Sequence, residues 1–158
     1  MAKKHVILFV CTGNVCRSPM AVGFLQARLA REGRAAEFDV RSAGLWALEG
    51  EPATAYARQV MAEHDLDISD HRGRNLTQED IDQADLILVM AERHANAIQR
   101  DFRRADEKMH LLSEMIGQRF DIEDPYGGSL MDYRLKAREL EEIIEAGYPK
   151  IVELATKI

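Results

Sequence analysis

Cys11 and Arg17 bound the segment Cys11-Thr-Gly-Asn-Val-Cys-Arg17, and Ser18 and Pro19 follow directly. A loop of this length, wrapping from a strand end to a helix start, can aim successive backbone N–H groups inward as an anion nest, and the helix dipole adds partial positive charge. A phosphate would fit there without a metal. Arg17 can grip two phosphoryl oxygens through its planar, permanently charged fork. Cys11 would sit at the bottom of that positive bowl, where a thiolate nucleophile is favoured. Gly13 and Asn14 are residue types that tolerate the left-handed backbone angles of a tight wrap. The loop as a whole, Thr12, Gly13, Asn14, Val15, Cys16, Arg17 and Ser18, is therefore expected to hold the anion.

Each residue alone has a plainer reading. A cysteine ending an apolar strand is more often a small buried hydrophobe, and a serine at a helix start is more often a cap. Together, between a buried strand and a helix, they point to chemistry. A nucleoside-triphosphate loop would end in Gly-Lys-Ser/Thr, which is absent. A thioredoxin-type pair has two residues between its cysteines, whereas four separate Cys11 from Cys16. No His/Cys/acid spacing suggests a metal site, and no cofactor is called for.

The elements that must position this loop follow from the apolar pattern. His5 to Val10 is a continuous apolar run of strand length, rich in Val, Ile and Phe. A strand apolar on both faces belongs in a parallel sheet covered on both sides. Ser18 and Pro19 start a helix that runs to about Arg31 and ends at Gly33. Phe38 to Ser42 reads as a second strand, Pro52 to His64 as a helix and Asp85 to Met90 as another buried strand. A polar helix follows from about Glu92 to Arg103, and Met109 to Leu112 is a weaker strand. From about Met131, Leu140, Ile143, Ile144, Tyr148, Ile151 and Ala155 fit a long amphipathic helix, which Pro149 should kink or end. This alternation implies an α/β fold with right-handed crossovers, and ligands in such sheets bind beyond the carboxyl ends of the strands. The loop after Val10 lies at that end.

Size and composition narrow the class. The chain has 158 residues, 46% hydrophobic and 30% charged, and one domain over residues 1–158 is expected. The net charge of −6 argues against a nucleic-acid partner. No apolar run approaches the roughly 18 residues that span a bilayer, so no membrane association is expected. The Val6 to Val10 run is too short for a signal peptide. Two cysteines are too few for a disulfide scaffold, and a cytoplasmic location is expected. The sequence carries no signal for an oligomeric state.

At this point the chain resembles the low-molecular-weight protein tyrosine phosphatase family, whose loop reads Cys-x-Gly-Asn-x-Cys-Arg-Ser-Pro. Cys11, Gly13, Asn14, Cys16, Arg17, Ser18 and Pro19 match it position by position. The similarity continues through Ser42-Ala-Gly44, His71-x-x-Arg74, Ala84 to Met90 and Asp124-Pro-Tyr126. The resemblance implies a four-stranded parallel sheet with helices on both faces. It also implies a protein phosphatase whose substrate is a phosphorylated protein and whose product is inorganic phosphate. By this likeness Cys11 attacks phosphorus to form a cysteinyl-phosphate, and Asp124 serves as acid and then as base. Ser18 would donate to the Cys11 sulfur. Asn14, Ser42 and His71 would form a network fixing the loop, and Trp46 and Tyr126 would flank the substrate side chain.

Three features depart from the common pattern. Val22 replaces an acid, Gly127-Gly128 stands where many members carry a second aromatic, and Thr12 replaces a bulky aliphatic residue. These resemble the bacterial branch with protein-arginine phosphatases, so phosphoarginine stands beside phosphotyrosine as a substrate, with Thr12 expected beside the phosphate entrance. Arsenate reductases that share the loop need further cysteines, and none follows Cys16. A non-catalytic phosphate-binding module is disfavoured because Cys11, Arg17 and Asp124 are all present.

Overall fold

The computed structural model describes residues 3–157; Met1, Ala2 and Ile158, the ends of the expected single domain, lie outside the described residues. Its first strand, β1 (His5–Cys11), is central, and the sheet order is β2 (Phe38–Gly44), β1, β3 (Leu86–Val89), β4 (Met109–Leu111). All pairings are parallel. The side chains of β1 divide by parity. Ile7, Phe9 and Cys11 enter one core with α1 (Arg17–Arg31), α2 (Ala55–Glu63) and α5 (Leu130–Ala155). Val6, Leu8 and Val10 enter the other with Ile81 of α3 (Gln78–Gln83) and Ile98 of α4 (Glu92–Asp101). The run of apolar residues without alternation thus has its cause, since both faces are covered.

The chain leaves β1 for β2 on one side and later returns to β3 on the other. That reversal places the loop after Cys11 at the topological switch point, where a crevice opens beyond the strand ends.

Helix α5 runs through Pro149 to Ala155, so of the expected kink or stop the stop is corrected. A proline has no N–H for the carbonyl four residues back, which here is that of Glu145. Arg28 of α1 supplies the donor instead: its Nη1 lies 3.1 Å from Glu145 O and 2.6 Å from Glu145 Oε2. The same guanidinium lies 4.2 Å from the Tyr148 ring centre. Helix α3 was not expected. It is short, and it is fixed by a reciprocal cap in which Thr77 Oγ1 accepts from Asp80 N–H and Asp80 Oδ2 accepts from Thr77 N–H. Among the described residues no helix is long and apolar enough to cross a membrane.

Candidate active site

The loop from Thr12 to Ser18 turns its carbonyls outward. Leu45 N–H donates to Cys11 O, Trp46 N–H to Thr12 O, Leu48 N–H to Gly13 O and Thr54 N–H to Val15 O. His71 Nε2 donates to Asn14 O, and Met20 N–H to Cys16 O. None of the amide N–H groups from Thr12 to Ser18 reaches an acceptor among the described residues. Helix α1 follows with no side-chain cap at Cys16 and no acid in its first turn. Six successive carbonyls, Cys11 to Cys16, are therefore taken by partners outside the loop, which leaves the amide side electropositive.

Asn14 carries the wrap. It is fully buried with φ of 61°. Its Oδ1 accepts from Arg74 N–H at 3.0 Å, while Nδ2 donates to Ser18 Oγ at 2.8 Å and Ser42 Oγ at 2.9 Å. A backbone N–H can only donate, so the amide orientation is set. Gly13, expected to be left-handed too, is not among the residues with positive φ. The glycine that the wrap does require is Gly44 at the end of β2, where a Cβ would lie 2.6 Å from Thr12 O.

Ser18 Oγ accepts from Asn14 and lies 2.9 Å from Cys11 Sγ, which leaves its own proton free for a thiolate at that sulfur. The cap role for Ser18 is corrected: α1 begins one residue earlier, and the hydroxyl belongs to the loop. Ser42 and His71 both bond to Asn14, Ser42 through its hydroxyl and His71 through the Asn14 carbonyl. Burial lowers the pKa of His71, and since the Asn14 carbonyl can only accept, the imidazole donates through Nε2.

Arg17 is buried and anchored by Nη1 to Ile122 O at 2.8 Å. That bond uses one side of the fork. Nη2 stands 3.4 Å from Asp124 Oδ2, and the buried Nε has no protein partner. The Nε–Nη2 edge is the one left for an oxyanion. Asp124 Oδ1 accepts from Tyr126 N–H at 3.0 Å, which holds the carboxyl over the bowl lined by Cys11, Gly13, Arg17 and Tyr126.

The expected aromatic rim divides. Tyr126 borders the bowl, whereas Trp46, 83% exposed, and Thr12 line a neighbouring cavity of about 340 Å³ with Leu45, His94 and Phe102. Thr12 Oγ1 is bonded to His94 Nε2 at 2.9 Å and lies 3.5 Å from Arg17 Nη2, between this cavity and the bowl. The Gly127-Gly128 pair has a local reason: Gly127 has φ of +82°, and a Cβ on Gly128 would lie 2.6 Å from Asp132 Oδ2, the cap partner of Ser129. Val22 packs against the core.

Three residues near the site, His94, Tyr133 and Thr54, escaped sequence reading, and Arg74 was named there without a role. His94 is buried at the start of α4. Arg74 forms a two-point pair with Asp80 at 2.7 and 3.0 Å, steadying the backbone that holds Asn14. Tyr133 and Thr54 hold the Cys16 sulfur at 3.2 and 3.7 Å. Burial pushes Cys16 up to about 11, against the Tyr133 hydrogen bond. Among the described residues no group of His, Cys, Asp and Glu is placed to hold a metal ion.

Comparison with known proteins agrees with this geometry. Residues 6–153 match the family described as low molecular weight phosphotyrosine protein phosphatase. A probable low molecular weight protein-tyrosine-phosphatase, EpsP of Ralstonia solanacearum, is 39% identical over 92% of this chain and 94% of its own. A protein-arginine-phosphatase of Geobacillus stearothermophilus is also 39% identical, over 88% of this chain and 90% of its own. The crystal structure of a low molecular weight protein tyrosine phosphatase from T. tengcongensis superposes with a TM-score of 0.87 at 40% identity, covering 92% of this chain and 98% of that one. This chain belongs to the low molecular weight phosphotyrosine protein phosphatase family.

Proposed function

We propose that the chain hydrolyses phosphotyrosine on proteins through a cysteinyl-phosphate. The observation that carries this reading is the loop around Cys11 and Arg17 whose carbonyls are taken by outer partners and whose N–H groups have none among the described residues, beside an Arg17 Nε without a partner. A phosphoryl group seated there places phosphorus over Cys11. The thiolate attacks in line as the bond to the tyrosine oxygen breaks, and Asp124 gives its proton to that oxygen. In the second step water attacks phosphorus, Asp124 takes its proton, and Cys11 leaves as thiolate with the Ser18 hydroxyl donating to it. Inorganic phosphate is released. The N–H groups and Arg17 hold the equatorial oxygens through both steps, with no cofactor. Tyr126, 59% exposed beside the bowl, offers a face for the phenyl ring. The cytoplasm, where thiols stay reduced, suits an enzyme whose two cysteines are both free.

Phosphoarginine is the second reading, favoured by the Thr12 hydroxyl and by the equal identity to the Geobacillus protein-arginine-phosphatase. The Gly127-Gly128 pair no longer argues for it, because the turn and cap account for both glycines. The experiment is kcat/KM on matched phosphotyrosine and phosphoarginine peptides. A preference for phosphotyrosine is expected; a larger value on phosphoarginine would move the assignment to the second reading.

A further inference from the structure

His94 has no part in the steps above, yet it is 1% exposed and hydrogen-bonded at both nitrogens. We propose that His94 is a positioning residue of this site, which fixes the Thr12 hydroxyl so that Thr12 presents its proton to an acceptor oxygen of the bound phospho group.

Ala91 N–H lies 3.1 Å from His94 Nδ1 and can only donate, so Nδ1 is the bare nitrogen. The proton of the neutral ring is then on Nε2, and Thr12 Oγ1, 2.9 Å away, accepts it. On its other side Thr12 Oγ1 lies 3.5 Å from Arg17 Nη2, which also can only donate. With two donors turned toward its oxygen, Thr12 directs its own proton elsewhere, and no acceptor among the described residues takes it. The same Arg17 Nη2 stands beside Asp124 and on the edge left for an oxyanion, so a phosphoryl oxygen held there comes within reach of the hydroxyl. The ring is kept neutral by its surroundings: burial chiefly, then the charges of Arg17 and Arg93, outweigh Asp121. A protonated ring would lose the bond from Ala91.

This inference rests on the phosphatase reading, which wild-type turnover of p-nitrophenyl phosphate tests by itself. The experiment then compares wild type, Thr12→Val, His94→Asn, the double variant and His94→Gln. An asparagine oxygen can stand in for Nδ1 and keep the Ala91 bond, and a glutamine amide can stand in for the Nε2 donor. Thr12→Val and His94→Asn should each lower kcat/KM by roughly three- to tenfold, the scale of one lost hydrogen bond. The double variant should be no worse than the poorer single one, and His94→Gln should recover most of the activity although it loses the Ala91 bond. Multiplying losses in the double variant, or wild-type kinetics in His94→Asn, would overturn the proposal. Should His94→Asn fail to fold, long-range ¹H–¹⁵N spectra of the wild-type protein decide: a bare Nδ1 and protonated Nε2 on His94 at pH 6 are required, and the opposite tautomer or an imidazolium refutes it.

Discussion

Ser18 Oγ lies 2.9 Å from Cys11 Sγ, and because it accepts from Asn14 Nδ2 its own proton is free for a thiolate at that sulfur. Such a bond favours the thiolate, and the thiolate is the leaving group of the second step. Ser18→Ala should therefore slow breakdown of the cysteinyl-phosphate more than its formation. A hydrogen bond to a charged group is worth about 1.5–3 kcal/mol, so kcat should fall by roughly 10–100-fold. Rapid-mixing kinetics with p-nitrophenyl phosphate should show a burst of nitrophenol that is larger than in wild type. Equal slowing of both steps would leave Ser18 a structural part of the loop.

Asn14 combines a left-handed backbone with three side-chain hydrogen bonds, two of them buried. Asn14→Gly removes the bonds but tolerates the backbone; Asn14→Ala removes the bonds and adds strain. Both should lose activity, and Asn14→Ala should be less stable than Asn14→Gly by about 1 kcal/mol. Urea unfolding of the two variants measures the difference. Equal stability would mean that the loop relaxes without its asparagine.

The part of this site legible in the sequence was the part set by local spacing. The parity of β1, the loop and the helix start lie in one continuous stretch, and Asp124 was placed by its Asp-Pro-Tyr neighbours. The rest depends on contacts across the chain. His94 was one polar residue on a polar helix, because the Thr12 hydroxyl it bonds to lies 82 positions away. Arg74 and Asp80 meet only after the chain turns at α3, a helix too short for its periodicity to show. Pro149 misled because the donor that replaces its missing N–H comes from Arg28, on another helix. Gly13 and Asn14 both tolerate left-handed angles, and only the fold selects Asn14.

Burial holds the His94 pKa down at about 3, against an ordinary 6.5. Below about pH 6.5 the unfolded chain takes up this proton and the folded chain does not, so the stabilising contribution is complete above that pH and is lost as pH falls toward 3. Burial lowers the pKa of His71 in the same sense. Unfolding free energy measured by urea from pH 7.5 to 4 should therefore fall with acid, and fall less steeply in His94→Asn. Parallel curves for the two proteins would contradict a neutral buried His94.

Cys16 can trap a Cys11 oxidised by peroxide as a disulfide, since the attacking species is the thiolate. With Cys16 pushed up to about 11, disulfide closure after peroxide is removed should be slow at pH 7 and faster at pH 9. Inactivation should be fully reversible by thiol in wild type and not in Cys16→Ser. Mass spectrometry of the Cys11–Cys16 pair follows the closure directly. A closure rate independent of pH, or equal recovery in the two proteins, would remove Cys16 from this role.

The central claim is that Cys11 attacks phosphorus from the floor of a loop that binds the oxyanion by itself. Its most direct measurement pairs two readings on Cys11→Ser: turnover of p-nitrophenyl phosphate, and binding of inorganic phosphate followed by titration calorimetry. The loop N–H groups and the free edge of Arg17 are untouched by this change, so phosphate should bind about as tightly as in wild type while turnover disappears. Retained turnover, or lost turnover together with lost phosphate binding, would contradict the account.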